Sequence, residues 1–376
     1  ASLDFDTIKQ NLKNYLKSQS EFADFDFEGS SINVLLDVLA YNTFYNSFYL
    51  NMAANEMFLD TAVMRKSVVS HAKLLGYTPR SAVASQAFAN VTITRTDSTT
   101  TLQIPAYTQF SAKASDGSAY SFYTTTDSGY VNNDGNNFLF TNVLVKEGTP
   151  VNKTFVYAEA TNPNQYFDLT DTNIDTSTLR ILVQNSVSNP AYSVYTLAED
   201  ATEISTNSTV YYIEESQTGS YRIYFGDGII GKKLQDGNVL VVTYLKTNAE
   251  IANGCKTFTL QSTLLAGSTS AVSVAVASNG GSQPENISQI KFTAPKSFIS
   301  QNRAVTKNDY IAIINKKYPY FDSVTVWGGD EEIPPVYGKV YVSAKPKNGF
   351  VVTKAEQNYL LKSVLKPVSV LTVTPE

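Results

Sequence analysis

Gly226-Asp-Gly-Ile-Ile-Gly231 has the G-x-G-x-x-G spacing of a phosphate-cradling turn, and it follows a β-type run at Tyr221–Phe225. Such a turn holds a dinucleotide only where a helix comes next, because the helix N-terminus must face the pyrophosphate. Residues 232–245 instead contain Asp236-Gly237 and then a β-branched run, so the glycines read as a hairpin turn. His71 is the one histidine, which excludes a histidine-based metal site within a single molecule and leaves any Ser-His-Asp relay one imidazole to use. It lies in Val68-Val69-Ser70-His71-Ala72, a helical pattern with no adjacent carboxylate, so a packing or capping role is expected. Cys255 reads as a small buried hydrophobe. As the sole cysteine it excludes an intramolecular disulfide and a four-cysteine zinc site, which suits assembly in a reducing cytoplasm. Asp24/Asp26 and Glu331/Glu332 have the side chains that glycoside cleavage uses, but solvated loops are the simpler reading. The expectation is a protein that is not an enzyme, with no catalytic, cofactor or metal residues.

The bulk numbers point the same way. The chain has 376 residues, more than one hydrophobic core normally serves, so two or three domains are expected. Charged residues make up 17%, against 43% hydrophobic, with 24 Tyr and 20 Phe. Protein interfaces are depleted in charge and enriched in aromatics at their centres, so the balance suits a surface covered by neighbours. A net charge of −5 without a basic stripe gives no footprint for nucleic acid. No charged-then-apolar leader is visible at the N-terminus, and no run reaches the roughly 18–20 apolar residues of a membrane span. A soluble protein is expected.

The spacing of apolar residues predicts an amphipathic helix over residues 4–20, carrying Phe5, Ile8, Leu12, Tyr15 and Leu16. Ser30 or Ser31 is expected to cap the next helix. Residues 32–75 contain no Gly or Pro and should form two helices with a break near 54–60. At 100° per residue the first of these sorts its apolar side chains into two opposed stripes. Ile32, Leu35, Leu36, Leu39, Leu50 and Met57 form one; Val34, Val38, Tyr41, Tyr45, Phe48 and Met52 form the other. The rings of Tyr41, Phe44, Tyr45, Phe48 and Tyr49 have roughly 750–1,250 Å² to bury, above what a monomer leaves exposed in one patch. Either the chain's own helices or a partner subunit must cover them, and the two can each take one stripe.

Beyond Gly76-Tyr77-Thr78-Pro79 the pattern turns to short β runs at 88–94, 120–125, 138–145, 154–158, 209–213, 221–225 and 239–245, with turns at Asp134-Gly135 and Asp236-Gly237. A strand within 266–277 and the Gly280-Gly281 junction lead into helices near 286–294, 306–318 and 354–366 and strands at 323–327 and 339–344. The expected fold is α+β multidomain: an N-terminal helical bundle segment (1–80), a central β-rich domain (81–265) and a smaller C-terminal α+β domain (266–376).

Three blocks carry a family resemblance. The first comprises Gly29-Ser-Ser-Ile-Asn-Val-Leu-Leu-Asp-Val-Leu-Ala-Tyr-Asn-Thr, Asn55-Glu-Met-Phe-Leu-Asp-Thr-Ala and Ser70-His-Ala-Lys-Leu-Leu-Gly-Tyr-Thr-Pro-Arg80. The second is Tyr221-Arg-Ile-Tyr-Phe-Gly-Asp-Gly-Ile-Ile-Gly231, followed by Asn253-Gly254. The third runs from Gly280-Gly-Ser-Gln-Pro-Glu285 through Asn302-Arg-Ala-Val-Thr-Lys-Asn-Asp-Tyr310 to Trp327-Gly-Gly329. Together they resemble the baseplate J-like family, which includes the wedge subunits of T-even-type contractile-tailed phages. The resemblance implies a structural subunit of the virion tail baseplate, assembled in the host cytoplasm, that helps transmit the signal for sheath contraction. Its implied partners are another copy of itself, other wedge proteins, and the tail hub and sheath-initiating proteins, with no nucleic acid, membrane or cofactor. Ile32, Leu35, Leu36, Leu39, Tyr41, Phe44, Tyr45, Phe48, Tyr49 and Met52 become the candidate bundle interface. Gly226, Asp227, Gly228, Arg303, Thr306, Asp309 and Tyr310 become family-signature structural residues, with Thr306 capping a helix and Arg303 reaching a carboxylate. Family members are longer, so further inter-subunit contacts are expected beyond residue 376. The alternative is a host-binding or polysaccharide-cleaving tail protein, suggested by the Tyr-rich middle.

Overall fold

The computed structural model describes residues 4–22, 27, 29–114, 117–198, 204–216, 219–274, 277–301, 303–318, 321–346, 352–370 and 373–376. The chain divides into two compact units, Ala1–His71 and Ala72–Glu376.

In the first unit, α1 (Phe5–Lys17) is capped by Asp4, whose carboxylate accepts the Thr7 amide at 2.8 Å. It packs along α2 (Ile32–Glu56), with Ile8, Leu36 and Ala40 buried and a Lys9–Asp37 ion pair beside them. Ser31 stands at the head of α2 without capping it: its backbone is already helical (φ −63°, ψ −20°), whereas a capping side chain needs an extended backbone to reach back to the amides. Ser30 bonds the Phe27 carbonyl instead. Residues 57–64 separate α2 from α3 (Arg65–Leu74), and Glu56 spans the break by accepting the Val63 and Met64 amides at 2.8 and 3.2 Å.

The second unit begins its strands with β1 (Gln86–Thr94), β2 (Thr101–Leu102), β3 (Gln109–Lys113), β4 (Ala119–Thr124), β5 (Val131–Asn132) and β6 (Asn137–Glu147). Next come β7 (Thr149–Val156), β8 (Phe167–Leu169), β9 (Ile174–Gln184), β10 (Tyr192–Leu197), β11 (Val210–Glu215), β12 (Tyr221–Phe225) and β13 (Val239–Lys246). β14 (Thr257–Leu260) and β15 (Thr269–Val274) precede α4 (Ile287–Ser300) and α5 (Lys307–Lys317). The chain closes with β16 (Phe321–Gly328), β17 (Lys339–Pro346), α6 (Lys354–Tyr359) and β18 (Thr374–Pro375).

Two large sheets result. One is ordered β14-β3-β4-β6-β1-β15 around Phe110, Phe122, Phe138 and Cys255; the other is ordered β7-β13-β9-β10-β11-β12-β8 around Tyr157, Leu169, Ile181, Ile223 and Tyr244. A three-stranded sheet, β16-β17-β18, shares a third core with α5 and the segment after α6, centred on Tyr310, Ile314, Tyr318 and Val364. The chain is therefore α+β and multidomain, with a helical start, a β-rich middle and a smaller α+β end.

Three local readings need correcting. β15 pairs with β1 from Ala89↔Val274 to Thr94↔Thr269, so the strand placed with the C-terminal part completes the first sheet. Asp236-Gly237 does not join neighbouring strands: β13 pairs with β7 and β9, and the turn only aims the chain into that ladder. α4 runs through Pro295 to Ser300 rather than ending near 294.

The chain passes between the large sheets twice, at adjacent points. Gly148 (φ +146°) links β6 to β7, and a Cβ there would stand 2.8 Å from the Lys246 carbonyl oxygen at the end of β13. Beside it the buried Glu147 accepts from Thr247 Oγ1 at 2.7 Å and from the Asn248 amide at 3.0 Å. Lys146 meets the fully buried Asp175 at 3.4 Å. The junction is thus held by charged groups whose hydrogen bonds offset their desolvation.

Candidate functional site

α2 is the element that sequence reasoning singled out, and its exposure pattern is informative. On α2 one line, Asn33, Asp37, Ala40, Phe44, Ser47 and Asn51, is buried or half-buried, and the Lys9–Asp37 ion pair sets α1 against it. These residues lie between the two apolar stripes, so α1 covers the seam and leaves both stripes open. Leu35 is 62% exposed and Leu50 68% on the aliphatic side; Tyr41 is 57% and Phe48 47% exposed on the aromatic side. Leu39, Tyr45, Tyr49 and Met52 are also exposed, while Ile32 and Phe44 are half-buried. Leu36, counted with the outward aliphatic residues, is buried and belongs to the unit's own core.

The aromatic side chains are ordered against one another. Tyr41 and Tyr45 pack with ring centroids 4.5 Å apart and hydroxyl oxygens 3.1 Å apart, and Tyr49 continues the row 6.1 Å from Tyr45. Phe44 and Phe48 brace Tyr45 and Tyr49 edge-on at 5.6 and 5.9 Å. One turn of helix separates successive rings, so i,i+4 neighbours support each other. A row fixed in this way loses little side-chain freedom when it is covered, which favours binding.

The signature residues occupy structural corners. The 226–231 turn follows β12, and residues 232–238 lead from it into β13 without a helix. Asp227 accepts the Ile229 and Ile230 amides at 2.8 and 2.9 Å, which holds its carboxyl below the usual carboxylate range. A Cβ on Gly226 would lie 2.4 Å from the Gly231 carbonyl, and backbone there cannot move aside. Gly226→Ala is expected to cost about 2 kcal/mol through strain, read as a lower midpoint in urea unfolding with an unchanged slope. The glycine spacing is accounted for by this close backbone approach, with no phosphate needed.

At the second corner, Thr306 Oγ1 accepts the Asp309 amide at 3.3 Å and Asp309 Oδ2 accepts the Thr306 amide at 2.8 Å, a reciprocal cap on α5. Tyr310 follows, buried in the third core. Among the described residues Arg303 meets no carboxylate: its guanidinium donates to Gln301 Oε1 at 2.6 Å, beside the left-handed turn (φ 46°) that ends α4. Asn302 lies outside the described residues. Thr306→Ala is expected to lower stability by about 1 kcal/mol, a shift in thermal midpoint that Thr306→Ser should largely restore.

His71 Nε2 lies 2.8 Å from the Glu56 carbonyl oxygen, tying α3 to the last turn of α2. Cys255 is fully buried in the first large sheet's core. Among the described residues no group of three or more His, Cys, Asp or Glu is placed to hold a metal ion. No described helix is long and apolar enough to cross a membrane.

Fold and surface together define a multidomain structural protein: large closed β cores in one unit and, in the other, a helix with exposed apolar side chains on two faces. Comparison with known proteins agrees. Residues 4–77 match the helical domain of gp6-like baseplate wedge proteins, and residues 306–376 match C-terminal domain I of the gp6 baseplate structural protein. The chain is 30% identical, over 396 aligned positions, to baseplate wedge protein gp6 of Enterobacteria phage T4. That alignment covers 99% of this chain and 58% of the relative, so the chain spans rather more than half the relative's length. These matches support the baseplate wedge protein family.

Two solved assemblies show a loose likeness. The anti-feeding prophage baseplate matches at TM-score 0.28 and 12% identity, over 98% of this chain and 76% of that one. The TssK-TssF-TssG baseplate subcomplex of a type VI secretion system matches at TM-score 0.35 and 7% identity, over 92% and 95%.

Proposed function

We propose that this chain is a structural subunit of a contractile-tail baseplate, a wedge component that works by assembly and not by catalysis. The observation that carries the reading is α2, a 25-residue helix bound to its own chain along a narrow seam and apolar on both flanks. A helix apolar on opposite sides is stable in water only when other helices enclose it. The similarity to wedge protein gp6 supplies the setting.

In this reading Ile32, Leu35, Leu39, Leu50 and Met57 meet one partner and Tyr41, Tyr45, Phe48, Tyr49 and Met52 another. One is a second copy of the chain and the other a different wedge protein. The β-rich middle and the α+β end, with the baseplate J-like signature corners at Gly226–Gly228 and Arg303–Tyr310, build the ring that meets the tail hub and sheath-initiating proteins. Assembly takes place in the host cytoplasm. When the ring changes diameter the interfaces switch between packings, and the sheath contracts.

A photo-crosslinking residue at position 45 or 39, introduced into chains that assemble into tails, tests the reading. Crosslinks from both positions to other baseplate chains are expected. Crosslinks confined to the same molecule would overturn it.

A further inference from the structure

Residues 77–85 lead to the start of β1 as an extended strap outside every strand ladder. Its backbone touches the body through isolated bridges, Val83↔Ser282 and then Gln86↔Asn279 at the head of β1. Its middle is Ser81-Ala-Val-Ala-Ser85, and the buried methyls of Ala82 and Ala84 contribute only about 0.8 kcal/mol each. None of its side chains belongs to the apolar core of either large sheet.

Hydrogen bonds hold it instead: Thr78 Oγ1 donates to the Ile213 carbonyl at 3.3 Å, the Tyr221 hydroxyl to the Pro79 carbonyl at 3.4 Å and the Glu147 amide to the Ser85 carbonyl at 2.8 Å, and two carboxylates add to these. The buried Glu285 accepts the Tyr77 hydroxyl at 2.7 Å and the Arg80 amide at 3.1 Å, and its own amide donates to the Arg80 carbonyl at 3.0 Å. Tyr77 is the strap's one large anchor, and it is buried. Burial, reinforced by the Glu285 charge, pushes its hydroxyl far above the ordinary tyrosine value, so it remains a donor. Asp175 takes the Ala84 amide at 3.0 Å, and Ser81 meets Thr176 at 2.9 Å, but Asp175 also serves Lys146 and Ser177 in the sheet junction.

We propose that the strap is a releasable segment latched by Glu285, able to leave the body while both β cores stay closed. Removing the carboxylate leaves the buried Tyr77 hydroxyl and the half-buried Arg80 amide without this acceptor. Freed, residues 77–85 supply roughly 30 Å of chain contour. Within a baseplate this slack lets the helical region keep its partners while the body shifts, a use that rests on the function proposed above; the latch itself does not.

Hydrogen exchange of the full chain, followed by mass spectrometry, tests it. In Glu285→Ala the amides of residues 80–86 should exchange at least about tenfold faster, while those of β9 and β13 stay within about twofold. Asp168→Ala, which removes the exposed carboxylate paired with Arg222, should change neither. If Glu285→Ala does not fold, Tyr77→Phe, which removes one of the bonds to Glu285 and keeps the carboxylate, should accelerate the same amides by a smaller factor while β9 and β13 stay unchanged. An unchanged strap, or strap and sheets accelerating together, would overturn the proposal. Failure of the baseplate reading would appear in assembly and leave these exchange rates untouched.

Discussion

Replacing Tyr45 and Phe48 together with serine is expected to remove the chain from assembled tails and to leave its body folded. Both rings are exposed on α2, so the unit's own core loses little when they go. The large sheets and the α5 core contain no residue from α2. At the centre of an interface an aromatic anchor is worth about 2 kcal/mol or more. Two such losses weaken association by at least about a thousandfold. The double variant should keep the thermal unfolding profile of residues 81–376 and fail to complement a tail-deficient host, whereas Val187→Ser, at an exposed position of the body, should complement normally. Incorporation of the double variant at normal levels would sink the partner-facing assignment of the aromatic stripe. Leu35→Ser with Leu39→Ser asks the same question of the aliphatic stripe, and different partners should be lost in the two cases.

The stripes were legible because helical periodicity is a local property. Five aromatic side chains within nine residues cannot all face one small core, whatever the tertiary structure. The identity of the covered side was not legible. The seam that α1 occupies, Asp37-x-x-Ala40-x-x-x-Phe44, is less apolar than either flank, and the Lys9–Asp37 pair that helps to choose it joins residues far apart in sequence. The α5 cap could be read from Thr306 and Asp309 because its bonds span three residues, whereas the partner of Arg303 depends on the left-handed turn at Gln301. Pairing of β1 with β15, across most of the unit, has no local signal, and β9 was missed because Asp175-Thr-Ser-Thr178 interrupts its apolar alternation. The same blindness hid the chain's most consequential polar residues. Glu147, Asp175, Glu285 and Glu356 look in sequence like solvated loop acids, and all four are buried.

Glu356 shows how such an acid works, accepting from Asn279, Tyr318 and Thr353 and so joining three segments. Asp175 has the larger expected effect, because it is paired with a buried lysine at the crossing between the large sheets. The side chains of Lys146 and Asp175 are 9% and 1% exposed. Breaking such a pair from one side leaves a buried charge uncompensated and costs about 3–5 kcal/mol. Asp175→Ala should reach the upper end, since the Ala84 and Ser177 amides lose their acceptor as well. Lys146→Met should be milder, because those donors still face the carboxylate that remains. Adding Asp175→Asn to Lys146→Met should then recover stability: the amide oxygen keeps an acceptor in place and the stranded charge is gone. Urea unfolding of Lys146→Met, Asp175→Asn and the double variant measures this directly. Coupling of more than about 1 kcal/mol is expected, and simple additivity would mean that the ion pair does not hold the crossing.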